Sequence, residues 1–153
     1  MNLLRDVTEP LIEFIFVHGL GGGSRKTWSK STNQYHYWPK EWLSQDPEFG
    51  CVRVWSFGYK ADWNERKENV LEIHDFALAL LGEIENAPDI RRSKVSRASK
   101  CCFGLPYVLQ SKVVFVAHSM GGLVIKQVRH ASIATHAYSH PGRLVFWLEK
   151  IQR

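Results

Sequence analysis

Two short stretches of this sequence combine residue types that could carry out acyl transfer. In VFVAHSMGGLV, Ser119 stands between an apolar run and the start of a helical pattern, with small residues two before and two after it, Ala117 and Gly121. A serine at such a strand-to-helix turn is held in strained backbone geometry that projects its hydroxyl, and the flanking positions must be small so that strand and helix can approach. Ala117 stands where G-x-S-x-G has its first glycine, a difference of one methyl. The helix N-terminus behind the serine would offer unpaired amides where negative charge develops on an attacked carbonyl. Serine is also a favoured helix N-cap, so this stretch alone leaves nucleophile and cap as alternatives.

The second stretch, HGLGG at 18–22, follows another apolar run far upstream. An α/β-hydrolase keeps its other oxyanion donor at such a place, as a backbone amide in the loop after an earlier strand. Glycines let amides reach the substrate oxygen, and the amides of Leu20 and Met120 are the expected pair. His18, Gly19, Gly21, Gly22, Gly121 and Gly122 are expected to support them. The cluster could instead cradle phosphate, but it has neither the Lys-Ser/Thr ending of a P-loop nor G-x-G-x-x-G spacing.

A nucleophilic serine needs a base and a carboxylate, which in this fold follow it in the order acid, then histidine. No aspartate follows Ser119; Glu149 is the one later carboxylate, and no histidine comes after it. A helix leading away from the serine rises 1.5 Å per residue and would carry His130 about 16 Å off, too far for a base. His136 and His140 fall in a loop-like stretch and read as exposed loop residues. His18 reads as a buttress of the glycine loop and His74 as helix surface. The triad is therefore expected to be incomplete.

The elements that must position these residues are legible in outline. LIEFIFV at 11–17, CVRVWSFG at 51–58 and KVVFVA at 112–117 are nearly continuous apolar or β-rich runs, as strands buried on both faces are. WPKEWLSQ at 38–45 reads as a short helix opened by Pro39. Val70, Ile73, Ala77, Leu80, Leu81 and Ile84 recur at helical spacing before Pro88. After the serine, Leu123, Val124, Val128 and Ala131 are expected to face a sheet, and 143–149 to add one more strand. Residues 89–111 break the rhythm and read as an insertion. The order implies right-handed crossovers and an α/β layer fold.

The quoted pieces FVHGLGGGSRKTW, WPKEWL, RVWSFGY and FVAHSMGGLVIK together resemble the α/β-hydrolase-like domain of the serine-active-site-containing family, related to PGAP-like lipases and found also at the N-terminus of fungal NACHT and ankyrin-repeat proteins. The likeness covers residues 11–127 apart from 89–111, and 128–153 departs from the pattern. It implies a single three-layer α/β-hydrolase fold with a mostly parallel sheet, truncated after the elbow helix. It also implies an ester or lipid substrate attacked through Ser119, and endoplasmic reticulum or mitochondrion as sites of action with peripheral membrane contact. The alternative it carries is a catalytically dead signalling or partner-binding module, its signalling partners engaged through a missing C-terminal region.

Composition narrows the remaining choices. The chain has 153 residues, 44% hydrophobic and 23% charged, enough for one buried core. Of the net charge of +5, five cations fall at Arg91, Arg92, Lys94, Arg97 and Lys100; without aromatic interleaving these read as a solvated loop, and no nucleic-acid partner is expected. Cys51, Cys101 and Cys102 make neither a disulfide framework nor a metal spacing, which fits a reducing compartment. No metal and no cofactor are expected. No apolar run is long enough for a transmembrane segment, and Asp6, Glu9 and Glu13 oppose a signal peptide, so an intracellular, cytoplasmic chain is expected.

Overall fold

Three apolar runs become neighbouring parallel strands, and the two chemical motifs lie at the same ends of two of them. The computed structural model describes residues 1–31, 33, 36–61, 72–87, 90, 94–97, 107–134 and 144–148. In chain order the main elements are β1 (Asn2–Arg5), β2 (Ile12–Val17), α1 (Trp38–Glu41), β3 (Val52–Phe57), α2 (Ile73–Asn86), β4 (Lys94–Arg97), β5 (Tyr107–Gln110), β6 (Lys112–Ala117), α3 (Met120–Ala134) and β7 (Leu144–Leu148). The main sheet runs β1-β3-β2-β6-β7. Its last four strands are parallel, and β1 is antiparallel at one edge.

Alternation along the strands gives the sheet two apolar faces. Ile15 and Val17 of β2, Trp55 and Phe57 of β3, and Val113, Phe115 and Ala117 of β6 join Ala77 and Leu80 of α2 and Val124, Ile125 and Val128 of α3 in one core. Phe16, Val52, Val54 and Val116 point the other way and meet Trp28 and Tyr37, with Trp38, Leu43 and Phe49 at the margin. Burying such side chains contributes roughly 1.5–3 kcal/mol each. The architecture is thus α/β, with both faces of the sheet covered.

Helix α2 starts at a capping box, the Glu72 side chain accepting from the N3 amide while the Asp75 carboxylate accepts from the Glu72 amide, and it ends at Ala87 before Pro88. Val70 lies outside the described residues.

Several expectations are corrected. The helix expected over 38–45 is limited to Trp38–Glu41. Leu123 does not face the sheet; it is 53% exposed, because Val124, Ile125 and Val128 define the buried stripe and Leu123 lies to its side. Strand β1 has no counterpart in the sequence reading. Within 89–111, β4 and β5 pair antiparallel as a sheet of their own. The strand expected over 143–149 is present as β7 (Leu144–Leu148), which pairs parallel to β6 and extends the main sheet past α3. Among the described residues, no helix is long and apolar enough to cross a membrane.

Candidate active site

Strand β6 ends at Ala117, directly opposite Val17 at the end of β2. The next amide, of His118, still donates to the Val17 carbonyl at 3.0 Å, so the two chains leave the sheet side by side. Ser119 then turns sharply, with φ of 52°, and is the one non-glycine residue with positive φ among those described. Helix α3 begins one residue later.

This backbone differs from that of a helix N-cap. A helix N-cap has extended dihedrals and its side-chain oxygen accepts from the first turn. Here the Gly121 and Gly122 amides instead donate to the carbonyls of His118 and Ser119, each at 3.0 Å. The exposed Ser119 occupies a left-handed turn that costs strain for any residue with a Cβ.

The glycine loop is seated against this turn. A Cβ on Gly19 would lie 2.8 Å from both the Ser119 Cβ and the His118 carbonyl, so only glycine lets the loop approach. Gly121 has the matching role from the helix side, where a Cβ would lie 2.5 Å from the His18 carbonyl oxygen. A Cβ on Gly22 would collide with the Thr27 hydroxyl, and Gly21 takes a φ of 63°.

Hydrogen bonds hold the loop in one shape. The Gly21 amide donates to Ala61 at 2.9 Å, and that of Gly22 to the Gly19 carbonyl at 3.2 Å. The Gly23 amide donates to the Thr27 hydroxyl, and the Lys26 ammonium to the Gly21 carbonyl. The Ser24 carbonyl accepts from the Tyr37 and Ser56 hydroxyls at 2.9 and 2.7 Å. By contrast, the amides of Gly19, Leu20 and Met120 make no hydrogen bond among the described residues. Leu20 and Met120 are both half-buried and follow the two strand ends.

His18 is fully buried. Its Nδ1 lies 2.9 Å from the Gly19 carbonyl oxygen, its Nε2 accepts from the Tyr59 amide at 3.2 Å, and Tyr59 stacks on the ring at 4.2 Å. Burial pushes the Tyr59 phenol well above its usual range. The Tyr37 phenol is also raised, by burial first, against the opposing effects of Ser56 and Arg25. On the other face of the sheet, Trp28 packs edge-on to His118 with ring centroids 6.3 Å apart.

Two further histidines lie on the helices. His74 is exposed on α2, its Nδ1 3.0 Å from the Gln127 amide nitrogen, and His130 is exposed on α3. His136, His140 and Glu149 lie outside the described residues, as do most of the 91–100 cations and both Cys101 and Cys102. Among the described residues, no group of three or more His, Cys, Asp or Glu could hold a metal. Sequence reasoning missed Tyr59, Thr27, Tyr37 and Ser56. The available signal for Tyr59 was an aromatic residue just beyond a strand that ends in glycine.

Two curated proteins are similar to this chain at low identity. The chain is 27% identical to protein SERAC1 of Bos taurus over 133 residues, covering 76% of this chain and 17% of that protein. It is 28% identical to protein SERAC1 of Danio rerio over 133 residues, 76% of this chain and 18% of the relative. The chain thus spans less than a fifth of the length of these relatives. No family model and no solved structure matches it.

Proposed function

We infer that this chain is a serine-hydrolase domain of the α/β-hydrolase kind, acting on ester or lipid acyl groups through Ser119. The observation that carries the reading is the strained Ser119 turn with Gly19 pressed against it. The strand order, with the serine turn and the glycine loop at the ends of adjacent parallel strands, supports it. So does the distant likeness to the two SERAC1 proteins.

In this reading Ser119 Oγ attacks the acyl carbon and passes its proton to a base, while negative charge collects on the carbonyl oxygen between the Leu20 and Met120 amides. Collapse breaks the ester C–O bond, the alcohol leaves with a proton, and water then releases the acid.

The competing reading is a hydrolase fold that binds a partner without turnover. A fluorophosphonate probe separates the two. The serine oxygen bonds to phosphorus, fluoride departs and the hydroxyl proton is lost. Labelling that disappears in Ser119→Ala supports the hydrolase, and an unlabelled but folded chain supports the binding module.

A further inference from the structure

We propose that Tyr59 is a positioning residue for the oxyanion site, aiming the Leu20 amide through the ring of His18. The proposal rests on the reading of Ser119 as nucleophile and adds to it a residue outside both motifs.

The argument follows one peptide plane. The Gly19 carbonyl and the Leu20 N–H belong to the same peptide group, which is planar and trans, so they point in opposite directions; no cis peptide occurs among the described residues. Whatever fixes the Gly19 oxygen therefore fixes the direction of the Leu20 N–H. Two donors converge on that oxygen, His18 Nδ1 at 2.9 Å and the Gly22 amide at 3.2 Å. With its carbonyl doubly bonded and its own N–H making no hydrogen bond among the described residues, the 19–20 peptide presents a polarised, pre-oriented donor.

His18 can donate from Nδ1 only in one tautomer, and Tyr59 selects it. A carbonyl oxygen only accepts, so Nδ1 carries the proton. A backbone amide only donates, so Nε2, which faces the Tyr59 N–H at 3.2 Å, carries none. Tyr59 also lies against the imidazole, with ring centroids 4.2 Å apart and planes 14° apart. Its hydroxyl donates to the His18 carbonyl at 2.7 Å, the oxygen of the peptide just before the one that matters. Tyr59 therefore bears on the proton, the plane and the backbone of His18 together. Tyr59 is held in turn by Phe57 and Phe76, at 5.5 and 4.5 Å between centroids, which tie it to the core under the sheet.

Tyr59→Phe removes only the hydroxyl contact with the His18 carbonyl, and Tyr59→Leu removes the stack on the imidazole as well. The test is the rate of Ser119 modification by a fluorophosphonate on the whole chain, resolved into the binding constant KI and the maximal rate kinact. We expect kinact to fall about tenfold or more in Tyr59→Leu, and by less in Tyr59→Phe, with KI unchanged, since misaiming a donor costs part of what deleting one does. A loss of packing alone would instead lower the melting temperature and leave kinact of the folded fraction intact. Unchanged kinact in Tyr59→Leu, with wild type labelled on Ser119, overturns the proposal and leaves the nucleophile standing. Absence of labelling in the folded wild type removes the nucleophile and this role together. Independently, nitrogen-15 shifts of the His18 imidazole at neutral pH should report the Nδ1–H form; an Nε2–H tautomer or a doubly protonated ring overturns the wiring whatever the labelling shows.

Discussion

Gly121 meets the carbonyl oxygen of Val17 with no room for a methyl group between them, and a Cβ there would also stand 2.5 Å from the His18 carbonyl. Both obstacles are backbone at the end of β2, which is itself paired on either side. They cannot swing away as a side chain would. Gly121→Ala is therefore expected to destabilise the fold by about 3 kcal/mol, the upper part of the range for overpacking. The check is the urea midpoint at constant m-value. A variant that unfolds at the wild-type midpoint would mean that helix and strand are not in contact here.

The strain at Ser119 makes a second, opposite prediction. A residue with a Cβ held in a sparsely populated region costs of order 1–3 kcal/mol, whereas glycine costs roughly 0.5–1 kcal/mol through the freedom it has when unfolded. Ser119→Gly should be about 1 kcal/mol more stable than Ser119→Ala, although both lack the hydroxyl and neither should be labelled by a fluorophosphonate. Equal midpoints for the two variants would show that the turn is relaxed.

The parts of this fold that were legible in the sequence are those where local pattern and tertiary placement agree. The run of β6 fits KVVFVA residue for residue, and β2 and β3 fall inside their apolar runs. Ser119 and Gly121 were readable because a strand-to-helix turn imposes their residue types locally. Strand β1 was not readable: its four residues, NLLR, form a strand only because the edge of β3 is there to pair with. Tyr59 was hidden for a similar reason, since its three contacts with His18 span 41 residues. Glu13 is the sharpest case. Its own run is otherwise apolar, and its partners lie on the neighbouring strand, 40 and 42 residues away.

Those partners yield a third prediction. Glu13 is fully buried, accepting from Trp55 Nε1 at 2.8 Å and from Arg53 Nη1 at 3.3 Å, and Arg53 also donates to the Val7 carbonyl at 2.8 Å. Glu13→Leu would leave a buried guanidinium without its inner counter-charge, for which about 3–5 kcal/mol is the usual loss. Asp6, the outer partner at 3.0 Å, is 69% exposed, so Asp6→Asn should cost less than about 1 kcal/mol. Comparable losses in the two variants would contradict the burial of the inner pair.

Alkaline pH should unfold the protein through the same tyrosine that holds His18. Burial raises the Tyr59 phenol above its ordinary value, so the folded chain keeps a proton that the unfolded chain releases near pH 10. Below that pH both states hold the proton and stability does not depend on it. Above it the folded state binds more protons than the unfolded one, and stability falls as pH rises towards the folded value. Tyr37, raised in the same direction, adds to the slope. Urea midpoints measured from pH 8 to about pH 11 should decline most steeply in the upper half of that range. Tyr59→Phe should start lower at pH 8, having lost the bond to the His18 carbonyl, yet decline less across the range. Parallel curves for the two proteins would mean that the phenol is free to ionise in the folded state, and so that it is not enclosed against the glycine loop.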